Sequence, residues 1–135
     1  MSQTTPVPPL IPGDAYFSDV QTDQPVVTKS SVTQLTSLAT PVTINAACGT
    51  IVTVAAGVIA AAGTATITVN NSFCASAGAA SPYSSVVLAT VNGYTGTGTP
   101  VVASCVPTST GFNLVIANVG AAGTNAAITI AFLVC

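Results

Sequence analysis

Three carboxylates (Asp14, Asp19 and Asp23), one amine (Lys29) and four thiols (Cys48, Cys74, Cys105 and Cys135) are the groups with ionic or nucleophilic chemistry to offer. The carboxylates suggest a calcium loop, but their spacing is not D-x-D-x-D-G and the closing glutamate is missing, so they read as a solvated face. The thiols form no C-x-x-C pair and the chain has no histidine, so a zinc site would need widely scattered thiolates. They read instead as candidate disulfides, in any of the pairings that Cys48, Cys74, Cys105 and Cys135 allow, or as buried thiols.

General acid–base catalysis needs a group that titrates near the working pH, and a hydroxyl nucleophile needs a base. Beyond Lys29 there is no Asp, Glu, Lys, Arg or His. Neither a triad nor a thiol–imidazole pair can be assembled from that composition. The expectation is therefore no enzyme, no cofactor and no metal. Without a basic patch the phosphate term of nucleic-acid affinity is also missing, so no nucleic-acid partner is expected. One modification signal stands out. Asn70-Asn71-Ser72 is an N-glycosylation sequon, which makes Asn70 a candidate carrier, and the many Thr and Ser residues permit O-linked sugar.

The elements that carry these groups read as strands. Residues 1–40 form an extended arm: Pro6, Pro8, Pro9 and Pro12 exclude helix, and Tyr16, Phe17 and Val20 follow as an apolar anchor. Residues 26–40 are proline-free and strand-competent, with Val26, Val32, Leu35 and Leu38 as the side chains a neighbour could receive. From Pro41 to Cys135 we expect one sandwich domain. Val42, Ile44, Ala46, Cys48, Val52 and Val54 share one parity, with Thr53 on the other. Ala65, Ile67 and Val69 alternate with Thr64, Thr66 and Thr68. Residues 55–63 read as a wide turn or short helix, 70–85 as a loop with Phe73 and Tyr83 as plugs, and 85–92 as a central strand. Further strands are expected at 100–106, at 111–118 with Phe112, Leu114 and Ile116 inward, and at 126–134 with Ile128, Ile130, Phe132 and Val134 inward. Seven or eight short strands with regular turn signals predict an all-β, two-sheet antiparallel sandwich, jelly-roll-like, with an extended N-terminal arm. A β-solenoid is the rival, but no repeat length recurs.

Residues 51–69 are uncharged and about the length a bilayer requires, yet four threonines and strand alternation argue against a membrane helix. The opening MSQTTPVPPLIPGD lacks the basic and apolar regions of a secretory signal. An extracellular or virion-surface protein is expected, released by lysis or following a leader upstream.

Soluble domains use charge to stay dispersed and to guard sheet edges. A body with none needs neighbours or sugar to cover it. The runs GTIVTVAAG, SSVVLATVNG, GFNLVIANVG and AAITIAFLV resemble small jelly-roll proteins of phages, large viruses and environmental filaments, the last joined head to tail by an N-terminal strand. The resemblance covers about residues 41–135 and implies a self-assembling structural subunit, a homo-oligomeric filament with covalent glycans as further partners. The alternative expectation is a trimeric virion decoration or receptor-binding knob that contacts glycans. A carbohydrate-binding module would need a flat row of aromatics, for which only Tyr16, Tyr83 and Tyr94 are offered.

Overall fold

The computed structural model describes residues 29–55, 57–74 and 85–135. Tyr16, Phe17, Val20, Val26 and Tyr83 lie outside the described residues. Those described form eight strands and no helix: β1 (Lys29–Thr33), β2 (Val42–Thr43), β3 (Cys48–Val52), β4 (Thr64–Asn70), β5 (Val87–Gly93), β6 (Pro100–Thr108), β7 (Gly111–Asn118) and β8 (Thr129–Val134). Two four-stranded sheets result, in the orders β1-β3-β8-β5 and β2-β4-β7-β6.

The sheets face each other across one apolar core. Alternation places Ile51, Ile130, Phe132 and Val134 on the inner face of the first sheet, and Ile67, Val69, Phe112, Leu114 and Ile116 on that of the second. Phe112 and Phe132 meet across the gap with ring centroids 5.3 Å apart. The inward assignments for 64–69, 111–118 and 126–134 agree with the sequence.

Four features depart from the expectations or add to them. The sandwich is not wholly antiparallel: β1 runs parallel to β3, and β2 parallel to β4. The chain coils from sheet to sheet through β1, β2, β3 and β4 in turn, so every second strand returns in the same direction. Second, the strand-competent stretch ahead of Pro41 contains β1, which starts at Lys29 and lies on this chain's own β3. Third, the strand expected to be central, β5, is an edge strand. Its outward Leu88 is 59% exposed, and Val86 just before the strand is 56% exposed. Fourth, parity is lost between Ala46 and Ile51. The chain crosses between sheets there, so Ile51 and Thr53 are buried while Val52 and Val54 are half-buried. The described residues of the 55–63 segment contain no helix; the chain turns at Ala62, whose φ is 59°.

All strand directions follow from this winding, and they give the sandwich two distinct ends. At one end lie the start of β1, the end of β4, the start of β5, the β6–β7 hairpin and the C-terminus of β8. At the other lie the loops 34–41, 53–63, 94–99 and 119–128.

Candidate assembly surface

Register fixes what the first sheet presents outward. Lys29, Cys48, Leu133 and Leu88 form one row across β1, β3, β8 and β5, and Ser31, Thr50, Ala131 and Thr90 form the next. Beyond the first row, Val86 and Cys135 exchange backbone hydrogen bonds of 3.1 and 2.9 Å, so they stand opposite each other on the same face. The result is an apolar patch at the end where β1 begins. Its members include Val86, Leu88 and Leu133, the last 40% exposed. A shallow groove of about 290 Å³ between β5 and β8 runs through it, lined in part by Leu88, Ala131 and Leu133. The second sheet is different: Thr64, Thr66 and Thr68 of β4 stand beside Ala117, Val115 and Asn113 of β7.

The four edges are guarded unequally. β2 has only two residues, which is itself a protection. β6 carries Pro100 and Pro107 and a register break between Val102 and Ser104, all of which obstruct further pairing. β1 bears Lys29, and Lys on an edge discourages recruitment. β5 has neither proline nor charge, but it faces β6, and the Cys105 side chain hydrogen-bonds the Ala89 backbone. Thus side-chain chemistry closes one flank and β1 forms the other.

The seat of β1 is shallow. Of its five residues only Val32, opposite fully buried Ile51, is more than superficially covered. Its firmest attachment comes just after the strand. Gln34 donates its backbone N–H to Val52 at 2.8 Å, and its Nε2 donates to the carbonyls of Leu38 at 3.0 Å and Thr40 at 2.6 Å. The Gln34 side chain is buried, yet its Oε1 has no partner among the described residues. Of the expected arm residues, then, Val32 faces the core, Leu38 packs against it and Leu35 projects 83% exposed from the loop after β1.

The far end is built by polar pins that sequence reading missed. Asn118 Nδ2 donates to the carbonyls of Ile59, Ala60 and Ala122 at 3.0, 3.1 and 2.7 Å. Its Oδ1 accepts from the N–H groups of Thr99 at 2.8 Å and Gly120 at 3.0 Å. One buried amide therefore ties three loops together. Gly98 adopts φ 84° beside it, where a Cβ would stand 2.8 Å from the Ala122 carbonyl oxygen. Thr53 Oγ1 accepts from Ile128 N–H at 2.8 Å, and Thr124 Oγ1 accepts from Ile59 N–H at 2.7 Å. In the sequence these residues resemble ordinary turn formers; only their loop partners, far away along the chain, distinguish them.

Cys48, Cys74, Cys105 and Cys135 are thiols with no disulfide among them. Cys74 is buried, and burial raises its pKa, opposed by hydrogen bonds from Ser85 and the Thr108 backbone. Burial also raises that of Cys105. Among the described residues no cluster of His, Cys, Asp or Glu could hold a metal ion, and no helix is long and apolar enough to cross a membrane. Asn70 ends β4 half-buried, its Nδ2 3.5 Å from Thr43 Oγ1, whereas Asn71 is a buried pin that donates to the Ala46 carbonyl at 2.8 Å. Phe73, expected as a plug, is exposed.

No family model matches this chain, and no curated protein or solved structure matches it significantly.

Proposed function

We propose that this protein is a structural subunit of an extracellular or viral filament, with residues 1–40 linking each copy to the next. The observation that carries this reading is the seat of β1: a short, mostly exposed strand laid on β3 and joined to the sandwich by the 34–41 loop. The β3 edge and groove side that receive it in the same chain offer the same parallel register to the equivalent strand of a neighbour. Exchange of an identical element is a low-cost route to assembly, and because donor and groove are different surfaces the contact is heterologous and propagates. A body without charge beyond Lys29 also lacks the repulsion that keeps copies apart.

The finer fold reading belongs to the same proposal. Without β1 and β2, the sheets read β3-β8-β5 and β4-β7-β6, with the chain passing between sheets at every connection except the β6–β7 hairpin. That is the alternation of a jelly roll with a shortened middle, extended by the first coil of the chain. We assign no catalytic role, since no base stands within the body to activate its hydroxyls or thiols.

The parallel register supplies the test. Lys29 and Cys48 are direct partners on one face. A Lys29→Cys protein carrying Cys135→Ser, treated with a short bis-maleimide, which adds one thiol at each end, should link 29 to 48. Strand exchange gives a ladder of covalent dimers, trimers and longer chains under denaturing conditions, and filaments by negative-stain microscopy. Linked monomers alone, with no filaments, would refute the proposal. Discrete three-fold particles would favour the virion decoration or receptor-binding knob, whose glycan contacts would fall to the loops around Tyr94 and Asn125.

A further inference from the structure

The outer row of the first sheet and the starting point of β1 lie at the same end of the sandwich. Lys29 opens β1 in the row that continues through Cys48 and Leu133 to Leu88, and Val86 and Cys135 extend the apolar surface beyond it. Val86, Leu88 and Leu133 are all substantially exposed, on a sheet face where large aliphatic side chains from adjacent strands gather without a covering layer among the described residues. Twenty-eight residues precede Lys29, and they include one aromatic–aliphatic cluster, Tyr16, Phe17 and Val20.

We infer that this patch is the seat of the Tyr16–Val20 segment, which crosses the outer face of the sheet whose edge receives the following β1. Reach permits it. Leu133 and Leu88 lie two and three strand spacings from Lys29, about 10 and 14 Å away. The residues between Val20 and Lys29 can span roughly 30 Å when extended. The arm cannot continue far along the edge as a ladder strand, because Pro25 has no amide hydrogen to give. Charge agrees as well: Lys29, the single cation of the chain, stands at the rim of the patch, while Asp19 and Asp23 flank the path the arm would take. The chemistry recognised is an aromatic pair in an extended acidic segment, docking on branched aliphatic side chains.

This inference deepens the proposed role of the arm, but it does not depend on whether β1 and the segment before it come from the same copy or from a neighbour. The chain contains no tryptophan, so Phe17→Trp provides a unique fluorescent reporter. The expected result is blue-shifted emission that is poorly quenched by acrylamide. Adding Leu88→Asp and Leu133→Asp should move the emission to that of free indole in water and raise quenching severalfold. Circular dichroism of the same protein checks folding, since both leucines point away from the core. Three results overturn the inference: emission already solvent-like in the single variant, emission unmoved by the leucine substitutions, or a Tyr83→Trp reporter that responds to them while the first stays silent. Filament formation is scored separately by microscopy, so an exposed reporter in intact filaments would remove this seat and leave the strand exchange standing.

Discussion

Val32→Asp tests the role of β1 most directly. Val32 is half-buried opposite Ile51 and packs against the core, so losing its side chain costs about 1 kcal/mol, roughly half the value of a fully buried valine. A carboxylate held there without a donor adds about 1–3 kcal/mol. The combined loss of about 2–4 kcal/mol corresponds to a factor of roughly 30 to 1,000 in the pairing equilibrium. Strand exchange makes the response nonlinear. Exchange replaces a contact with the same contact in a neighbour, so a mild Val32→Ala change largely cancels between the free and assembled subunits. A larger loss releases β1 altogether and leaves nothing to donate. Val32→Asp should therefore expose the β1 amides to hydrogen exchange and raise the concentration threshold for sedimentable polymer at least tenfold. Ser31→Asp adds the same charge to the same strand on its outward face and should do neither. Unprotected β1 amides in Val32→Asp together with polymer at the wild-type threshold would refute the reasoning.

Other expectations follow from the packing and the charges. Asn118→Ala removes both ends of a five-contact pin, and the loss of about 3–4 kcal/mol should lower the melting temperature by roughly 15 °C or more in a thermal scan. Deleting residues 1–28 should leave a folded sandwich by circular dichroism, because β1 and Gln34 are retained; loss of folding would show that the arm belongs to the core. Thiol reagents should modify exposed Cys135 first and buried Cys74 last, as mass spectrometry of the labelled peptides will show. For Cys74 the folded pKa lies above its ordinary value of 9.0 because burial disfavours the thiolate. The stability it contributes is complete below that ordinary value and declines as pH rises through the raised one, so denaturant midpoints should fall only on the alkaline side. Polymer should survive 1 M salt, since screening acts on charges and the body beyond Lys29 has none; dissociation in salt by sedimentation would count against neutral packing.

Much of this protein is decided locally. The alternation at Ala65–Ile67–Val69, Phe112–Leu114–Ile116 and Ile128–Ile130–Phe132–Val134 determines both strand and inward face, because a pleated strand allows one residue in two to reach a core. The missing charges were equally plain, and with them the shortage of catalytic groups. Pairing was decided elsewhere. That β1 lies parallel on β3, that SVVLATVN forms an edge rather than a centre, and that Leu88 and Leu133 share one outward patch all depend on how the chain coils between sheets. Parity cannot cross such a passage, which is why the pattern that begins at Val42 misplaces Ile51 and Thr53. The pins at Gln34, Asn71 and Asn118 were hidden for a related reason: a buried amide is recognisable only by the carbonyls and N–H groups around it, and many of these come from distant segments of the chain.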